Sequence, residues 1–366
     1  MHIAEIAPPW FPIPPPAYGG IERVVYELTE GLVAAGQMVT LFAPGGSQTS
    51  GQLIVTGSAG VGLDLTEEAK DDHFLRNGHA AYTQAAILGA DLVHDHTDYT
   101  PDPAFPLPIV RTIHGPAVEP HVSMYVAMSA RGDRFLAISE RQRALFVAAA
   151  HAAFGPGEHL RFAGVVPNPI DIAATPFYPA TAKEDYVAFV GRCHWEKGPV
   201  GAIQIAVEAG IPLKMALRVT AHERPYFEAV VRPALRKAGG LVEFVGEVGG
   251  TAKAELIGRA RAVLFSSPWE EPFGLVLIEA GAHGTPVVAL RRGAAPEIVT
   301  EGVTGFLAAD LTALAQVLPA AMALDPAACR ATVAARFDRP VIAQRHVTLF
   351  AAILAERQAG RSLVAA

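Results

Sequence analysis

The chain has 366 residues, of which 51% are hydrophobic and 18% are charged. This balance supplies large buried cores and excludes a disordered chain. The formal net charge of -7 argues against a nucleic-acid binder that relies on a basic surface. At about 150 residues per domain, the length favours two domains.

Other features of the composition restrict the compartment. Two cysteines, Cys193 and Cys329, are too few for a disulfide framework or a structural zinc cluster. No stretch approaches the ~18 apolar residues of a membrane span, and the N-terminus lacks the basic and apolar regions of a secretion signal. Residues 1–175 carry 18 acidic and 9 basic residues, which weakens docking to anionic lipid. We therefore expect a cytoplasmic protein with no nucleic-acid partner and no strong membrane signal.

Apolar runs of strand length alternate with helical patterns through the first half of the chain. The predicted strands are 2–7, 38–43, 90–96, 107–114, 135–139 and 162–166. Between the first two lies a proline-rich stretch (8–16), for which we favour an ordered loop over a polyproline II ligand. Apolar residues then recur at helical spacing over 21–32, and a further helix is predicted over 140–153. Buried strands that alternate with helices indicate a parallel α/β sheet.

The pattern restarts after a proline-rich linker at 167–179. Further strand-like runs are 185–192, 212–219, 241–248, 260–267 and 285–290. Two doubly wound halves predict a cleft between them, with ligand sites at the carboxyl ends of the strands. We expect domains at 1–175 and 176–339, followed by an amphipathic helix (340–366) that packs back on the first domain.

The most informative motif is SSPWEEPFGLVLIE, residues 266–279. A buried strand ends at Ser266, and Pro272 suits the first turn of a new helix. Unpaired N–H groups at such a helix start favour an anion such as a diphosphate, and Gly274 permits its close approach. Glu271 would then meet one end of a ligand and Glu279 a hydroxylated group beyond the phosphates. The alternative is an ordinary helix start with a dipole-complementing acidic residue.

A second motif, GRCHWEKG (191–198), supplies cations. Arg192 lies at a strand end, and Lys197 precedes the next helix. Both side chains could neutralise a diphosphate, Arg192 through its planar fork and Lys197 as a point charge. Ordinary loop charge is the alternative, which is disfavoured beside the Glu271 motif.

The chain resembles the retaining GT-B glycosyltransferases of family 4, also described as group 1. Four stretches in the usual order carry this resemblance: GGIERVVYEL (19–28), IHG (113–115), GRCHWEKG (191–198) and EPFGLVLIEAGAHGTPVVAL (271–290). The resemblance implies an α/β GT-B fold, with two Rossmann-like doubly wound domains whose parallel sheets face each other across a cleft. The first domain would bind the acceptor and the second the nucleotide sugar.

Residue roles follow from the resemblance at the matching positions. Gly19 and Gly20 match a loop that approaches the donor phosphates, and His114 matches a histidine beside the transferred sugar. Arg192 and Lys197 match the pair that binds the diphosphate and stabilises the leaving group.

The motif of the second domain carries further roles. Glu271 matches the carboxylate that hydrogen-bonds hydroxyls of the donor sugar, and Glu279 matches the ribose-binding glutamate. The backbone N–H groups of Phe273, Gly274 and Leu275 match donors to sugar and phosphate.

Other positions match less closely. Val245, Gly246 and Val248 belong to the loop that flanks the base. Arg218 stands near a basic residue of the family that contacts phosphate, and a glycine that usually accompanies that residue is missing here. Asn168-Pro169 replaces the usual Asn-Gly. The role of Ser139 stays open.

The resemblance implies a retaining front-face transfer in which the departing phosphate helps to deprotonate the acceptor. No Asp-x-Asp triplet occurs in the sequence, so we expect neither a metal nor a cofactor. The donor is expected to be a UDP-sugar, ahead of GDP- and ADP-sugars. His94 and His96 look like metal ligands, but on a strand Asp95 points away from them and no third ligand is evident.

Two other classes of function remain open. A nucleotide-sugar 2-epimerase or a phosphorylase would keep the cleft but change what attacks the donor carbon. A non-catalytic two-domain sugar-binding protein would leave the Arg192–Lys197 and Glu271–Glu279 sets without a task. A dinucleotide-dependent dehydrogenase is disfavoured, because no Gly-x-Gly-x-x-Gly follows the first strand. Loops 44–62, 97–106 and 115–131 are candidates for acceptor contact.

Overall fold

The computed structural model describes residues 1–16, 19–58 and 65–365. The chain divides into two compact units: Met1–Pro169 with Arg339–Ala366, and Ile170–Asp338. The predicted first boundary, 175/176, lies six residues beyond this division. Residues from Ile170 onward join the second unit because the Ile170 N–H donates to the Phe337 carbonyl at 2.9 Å and Ile170 pairs with Asp338 in a parallel bridge.

The first unit contains a seven-stranded parallel sheet in the order β3-β2-β1-β4-β5-β6-β7. Its strands are β1 (His2–Ile6), β2 (Met38–Pro44), β3 (Gln52–Gly57), β4 (Leu92–Asp95), β5 (Ile109–Ile113), β6 (Arg134–Ala137) and β7 (Phe162–Val165). Its helices between the strands are α1 (Gly20–Ala34), α2 (Glu67–Ile87), α3 (His121–Ala130) and α4 (Glu140–Phe154).

The second unit contains a six-stranded parallel sheet in the order β10-β9-β8-β11-β12-β13. Its strands are β8 (Val187–Arg192), β9 (Leu213–Arg218), β10 (Val242–Gly246), β11 (Ala262–Phe265), β12 (Val287–Leu290) and β13 (Gly305–Ala308). Its helices are α5 (Pro199–Ala209), α6 (Arg224–Tyr226), α7 (Arg232–Ala238), α8 (Gly250–Arg259), α9 (Leu275–Ala282), α10 (Ala295–Ile298), α11 (Leu311–Met322) and α12 (Pro326–Phe337). The expected pair of Rossmann-like parallel sheets is confirmed.

Several elements were missing from the sequence prediction, among them β3, α3 and β13. β3 lies inside the predicted loop 44–62, of which residues 59–62 fall outside the described residues, and α3 lies inside the predicted loop 115–131. β3 is an edge strand without a fully buried residue, so it lacks the apolar run that marked the central strands. The sequence prediction also lacked β13, which is an edge strand of the second sheet.

Each sheet reverses its strand order at one place. In the first unit the reversal lies between β1 and β4, and in the second it lies between β8 and β11. At such a point the loops after two neighbouring strands run to opposite faces of the sheet and leave a crevice at their carboxyl ends. The motifs at 191–198 and 266–279 directly follow β8 and β11, so the fold brings them to the same edge.

The last helix, α13 (Arg339–Ala365), belongs to the first unit. Its buried side chains Ile342, Ala343 and Phe350 share a core with Leu28 and Leu32 of α1. Glu27 of α1 receives a charge-assisted hydrogen bond from Arg339 Nε at 2.8 Å. The helix therefore closes one face of the first sheet.

Among the described helices, no single one is long and apolar enough to cross a bilayer. The pair Leu311–Met322 and Pro326–Phe337 reaches that length and composition only together and is bent by 105°.

Candidate active site

Two arginines stand side by side at the carboxyl edge of the second sheet. Arg192 ends β8, and the strand register pairs it with Arg218, the last residue of β9. Arg192 lies 3.7 Å from carboxylate oxygens of both Glu196 and Glu223, which are ion-pair contacts longer than a hydrogen bond. The planar guanidinium forks at this edge suit bidentate binding of a phosphate group.

The loop that carries Lys197 is fixed to the end of β11 by two serine hydroxyls. Ser266 Oγ donates to the Gly198 carbonyl at 2.6 Å, and Ser267 Oγ donates to the Glu196 carbonyl at 2.5 Å. A Cβ at Gly198 would lie 2.1 Å from the Ser266 carbonyl oxygen, and its φ is 72°, so only glycine fits there. Sequence reasoning gave these serines no role, although their place directly after a buried strand was a usable signal.

Lys197 and Glu271 are in direct contact. Lys197 Nζ lies 2.5 Å from Glu271 Oε2, and both side chains are partly buried. The backbone of Glu271 is held in place because its carbonyl accepts from Ala294 N–H at 2.9 Å. A Cβ at Gly293 would come within 2.5 Å of Glu271 N. The structure thus joins the two charged residues that sequence reasoning had placed on separate motifs.

The helix after Glu271 begins later than predicted. α9 starts at Leu275 with Gly274 as its N-cap at φ 90°, so Pro272 lies in the preceding turn and not in the helix. The Phe273 ring is buried and packs edge-on against Phe337 at 6.1 Å, which anchors the turn. The first N–H groups of a helix have no partner within the helix and favour an anion, here beside Glu271.

Glu279 lies one turn further along α9 and pairs with Lys253 of α8 at 2.7 Å. α8 follows the segment Val245–Val248, in which Gly246 has φ 77°. The ion pair therefore connects the predicted ribose-binding carboxylate to the element that follows the predicted base-flanking loop. Lys253 was not identified from the sequence, because it lies 26 residues from its partner.

In the first unit, Gly19 and Gly20 form the start of α1. A Cβ at Gly19 would lie 2.7 Å from Pro15 Cβ and 3.0 Å from Glu22 Oε2, so the proline-rich segment packs tightly on this helix start. Burial raises the pKa of Glu22. Tyr18, which precedes the pair, lies outside the described residues.

His114 follows β5 and is partly exposed. Its Nε2 lies 2.8 Å from His96 Nδ1, and His96 Nε2 lies 2.5 Å from Glu5 Oε1. Burial, together with the neighbouring His96 and His94, lowers the pKa of His114 well below its ordinary value. The imidazole is therefore neutral at pH 7 and can accept a hydrogen bond.

Gln142 fixes the backbone on both sides of His114. Its buried side-chain amide donates to the carbonyls of Ile113 at 3.0 Å and Gly115 at 2.8 Å. Ser139 is the N-cap of the same helix, α4, and accepts from Gln142 N–H at 3.0 Å. Sequence reasoning missed Gln142 because a glutamine in a helix carries no motif of its own.

Glu5 is a third potential metal ligand beside His94 and His96, contrary to the expectation from the sequence that none is present. Glu5 of β1 pairs in register with His94, and one ligand atom from each of Glu5, His94 and His96 lies within 4.8 Å of the others. Asp95 points to the opposite face, as expected, where Tyr82 Oη donates to it at 2.7 Å and Arg111 forms an ion pair with it.

Comparisons with known proteins match both units. The family described as Glycosyltransferase Family 4 matches residues 18–173, and the family described as Glycosyl transferases group 1 matches residues 184–323. Alpha-maltose-1-phosphate synthase of Mycolicibacterium smegmatis is 30% identical over 65% of this chain and 71% of that protein. The chain is a group 1 glycosyltransferase of the GT-B fold.

Two further similarities extend over nearly the full length of this glycosyltransferase. Glycogen synthase of Mycobacterium tuberculosis is 29% identical over 94% of each chain. The crystal structure of AviGT4, a glycosyltransferase involved in avilamycin A biosynthesis, is 27% identical, with a TM-score of 0.66 over 97% of this chain and 98% of that one. The activity class is therefore glycosyl transfer.

Proposed function

We propose that this glycosyltransferase moves a hexose-type sugar from a nucleotide diphosphate sugar to an acceptor hydroxyl, with retention of configuration and without a metal. The observation that carries the proposal is the charged edge at the β8/β11 reversal. There Arg192, Lys197 and the start of α9 offer positive charge and N–H groups, while Glu271 offers a hydroxyl-binding carboxylate. Preorganised donors of this kind stabilise the charge that develops on a departing diphosphate.

Each group has a separate task in this mechanism. Arg192 and Lys197 neutralise the diphosphate as the sugar–phosphate bond breaks. Phe273, Gly274 and Leu275 present backbone N–H groups to the sugar and phosphate, and Glu271 orients sugar hydroxyls. Glu279 holds the ribose beside the segment Val245–Val248. No enzymic nucleophile is required, because the acceptor oxygen attacks the anomeric carbon on the face from which the phosphate departs. The departing phosphate takes up the acceptor proton, so no enzymic base is required either.

The donor is proposed to be a UDP-sugar, the usual donor in the family that the sequence resembles. Isothermal titration calorimetry with UDP-, GDP- and ADP-glucose tests this choice, and we expect the tightest binding for the uridine compound. Binding that is equal for all three, or absent, would contradict the donor assignment. EDTA should leave both binding and turnover unchanged if no metal takes part.

Product analysis tests the reaction type, with glycogen and sugar phosphates among the candidate acceptors. We choose these because the names glycogen synthase and alpha-maltose-1-phosphate synthase denote glycogen and a sugar phosphate as products. We expect release of UDP that depends on the acceptor and a product with the donor's anomeric configuration by ¹H NMR. UDP release without acceptor, accompanied by an epimerised sugar, would favour the 2-epimerase alternative. Turnover that depends on inorganic phosphate would favour the phosphorylase. Ligand binding without any turnover would favour the non-catalytic sugar-binding protein.

A further inference from the structure

A line of three polar side chains crosses the carboxyl ends of β1, β4 and β5 in the first unit. Glu5 Oε1 lies 2.5 Å from His96 Nε2, and His96 Nδ1 lies 2.8 Å from His114 Nε2. Glu5 has no solvent exposure and His96 is 5% exposed. Burying a carboxylate is costly unless it is hydrogen-bonded, so this line is a structured network and not a surface contact.

The protonation states of Glu5 and His96 determine which atoms donate and which accept in the line. Burial would raise the pKa of Glu5, but contact with His94 and His96 outweighs burial and lowers it, so Glu5 is ionised and only accepts. Burial, with His94 beside it, lowers the pKa of His96, so its ring is neutral. His96 Nε2 must then carry the proton donated to Glu5, and His96 Nδ1 is an acceptor.

These donors and acceptors also fix the tautomer of His114. Because His96 Nδ1 accepts, the proton between the two rings belongs to His114 Nε2. His114 is neutral, so its Nδ1 carries a lone pair. Within the described residues, Nδ1 of His114 forms no hydrogen bond.

We propose that Glu5 and His96 are positioning residues that hold His114 in its Nε2–H tautomer, so that Nδ1 accepts a hydrogen bond from a hydroxyl of the bound sugar. The sugar contact rests on the proposed function, whereas the tautomer does not. A carboxylate that orients one imidazole through hydrogen bonding is a common device for fixing ring direction. Here the orientation passes through a second imidazole before it reaches the substrate.

A metal ion held by Glu5, His94 and His96 is the competing explanation of the cluster. The contacts argue against it, because tetrahedral zinc with bonds of ~2.0–2.1 Å separates its ligand atoms by roughly 3.3 Å. The observed separations from Glu5 Oε1 are 2.5 Å to His96 Nε2 and 3.0 Å to His94 Nδ1. The contact from His96 Nε2 is a hydrogen bond, too short for two ligands of one zinc ion, whereas His94 Nδ1 forms no hydrogen bond within the described residues. His94 Nε2 is engaged with Thr112 Oγ1 at 2.8 Å.

The first test is the ¹⁵N NMR spectrum of the histidine rings in the full-length protein at pH 7, with the His114 signals assigned from a His114→Asn variant. We expect an unprotonated Nδ1 and a protonated Nε2 at His114. Glu5→Gln, which keeps the shape but removes the charge, should shift His114 toward a mixture of tautomers. The exposed His151→Asn should leave the His114 signals unchanged.

Two substitutions of His96 separate its two contacts. His96→Asn places an amide near the Nδ1 position and keeps a partner for His114, whereas His96→Gln reaches toward Glu5 and abandons His114. We expect His96→Gln to lower kcat/KM for the nucleotide sugar by about tenfold, the ~1.4 kcal/mol of one hydrogen bond, and His96→Asn to retain more of it. Neither should change the Kd of the free nucleoside diphosphate.

Several outcomes would overturn the proposal. A protonated Nδ1 or a charged ring at His114 in the wild type would do so without any variant. One equivalent of zinc per chain in the purified protein would assign the cluster to the metal instead. If nucleoside diphosphates fail to bind while the tautomer is as expected, the proposed function fails and the positioning of His114 stands.

Discussion

The contact between Lys197 and Glu271 places a cation and a carboxylate from two motifs within hydrogen-bond distance. In the proposed mechanism they serve different parts of one donor, with Lys197 on the diphosphate and Glu271 on the sugar. Each also neutralises the other when no donor is bound. The two glutamates of the motif are therefore not equivalent, since Glu279 has a different partner, Lys253.

This difference separates the effects of the two alanine variants. Glu279→Ala should weaken nucleotide binding by tenfold or more, since hydrogen bonds to a charged group contribute about 1.5–3 kcal/mol, with kcat little changed. Glu271→Ala should mainly lower kcat. Calorimetry with the nucleoside diphosphate and steady-state kinetics check both, with the exposed Glu255→Ala as the control. Equal nucleotide affinity in wild type and Glu279→Ala contradicts the ribose assignment.

Lys197→Ala should lower kcat by roughly 10²-fold, the order of loss when one preorganised donor to a developing negative charge is removed. Lys237, exposed on α7, is the matched control, and Lys237→Ala should behave as the wild type. Initial rates at saturating donor provide the measurement. A Lys197→Ala enzyme with full kcat would exclude stabilisation of the leaving group by this side chain.

Among the secondary-structure elements, α13 has a structural role that its sequence position conceals. It lies at the end of the chain yet packs on α1, and Phe350 is fully buried in their common core. The helix therefore contributes to the stability of the first unit rather than to the second unit, which it follows in sequence.

Phe350→Ala should lower the free energy of unfolding of the first unit by about 3–5 kcal/mol, from lost burial and the cavity left behind. Gln344→Ala, on an exposed position of the same helix, should change it by less than about 0.5 kcal/mol. Urea denaturation followed by Trp10 fluorescence, in a chain with Trp195 and Trp269 replaced by Phe, reports on the first unit alone. Equal midpoints for the two variants would show that α13 does not stabilise that unit.

For the molecule as a whole, buried histidines make stability depend on pH. Burial, with the neighbouring His94, lowers the pKa of His346 from 6.5 to about 3. Below pH 6.5 the unfolded chain binds a proton at this site while the folded chain does not. The stabilising contribution of the neutral His346 is therefore complete above pH 6.5 and declines as the pH falls toward 3.

Because of His346, we expect the free energy of unfolding to fall by about 1.4 kcal/mol for each pH unit below the pKa of this histidine in the unfolded chain. His346→Leu should reduce the slope of the unfolding free energy against pH between pH 6.5 and 5 by the amount that corresponds to one bound proton. The exposed His151→Leu should not reduce this slope. The Trp10 fluorescence assay at several pH values measures both slopes. Parallel curves for wild type and His346→Leu would refute the assignment.

The sequence by itself determined the alternation of strands and helices, the class of fold and the order of the motifs. Those depend on apolar periodicity and on glycine or proline at turns, which act over a few residues. The prediction was wrong for the edge strand β3 and for the start of α9, because local patterns do not determine either feature. The exposure of a strand at a sheet edge and the φ of Gly274 depend on residues that are neighbours in space.

Only the tertiary structure decided which side chains meet. Glu5 and His96 are 91 residues apart and Lys197 and Glu271 are 74 apart, yet each pair is joined where parallel strands end at one edge. Parallel pairing brings together residues separated by whole strand–helix units, and no local pattern encodes which partner a buried charge will find. The protonation of His114 is therefore a property of the fold, although every residue involved is visible in the sequence.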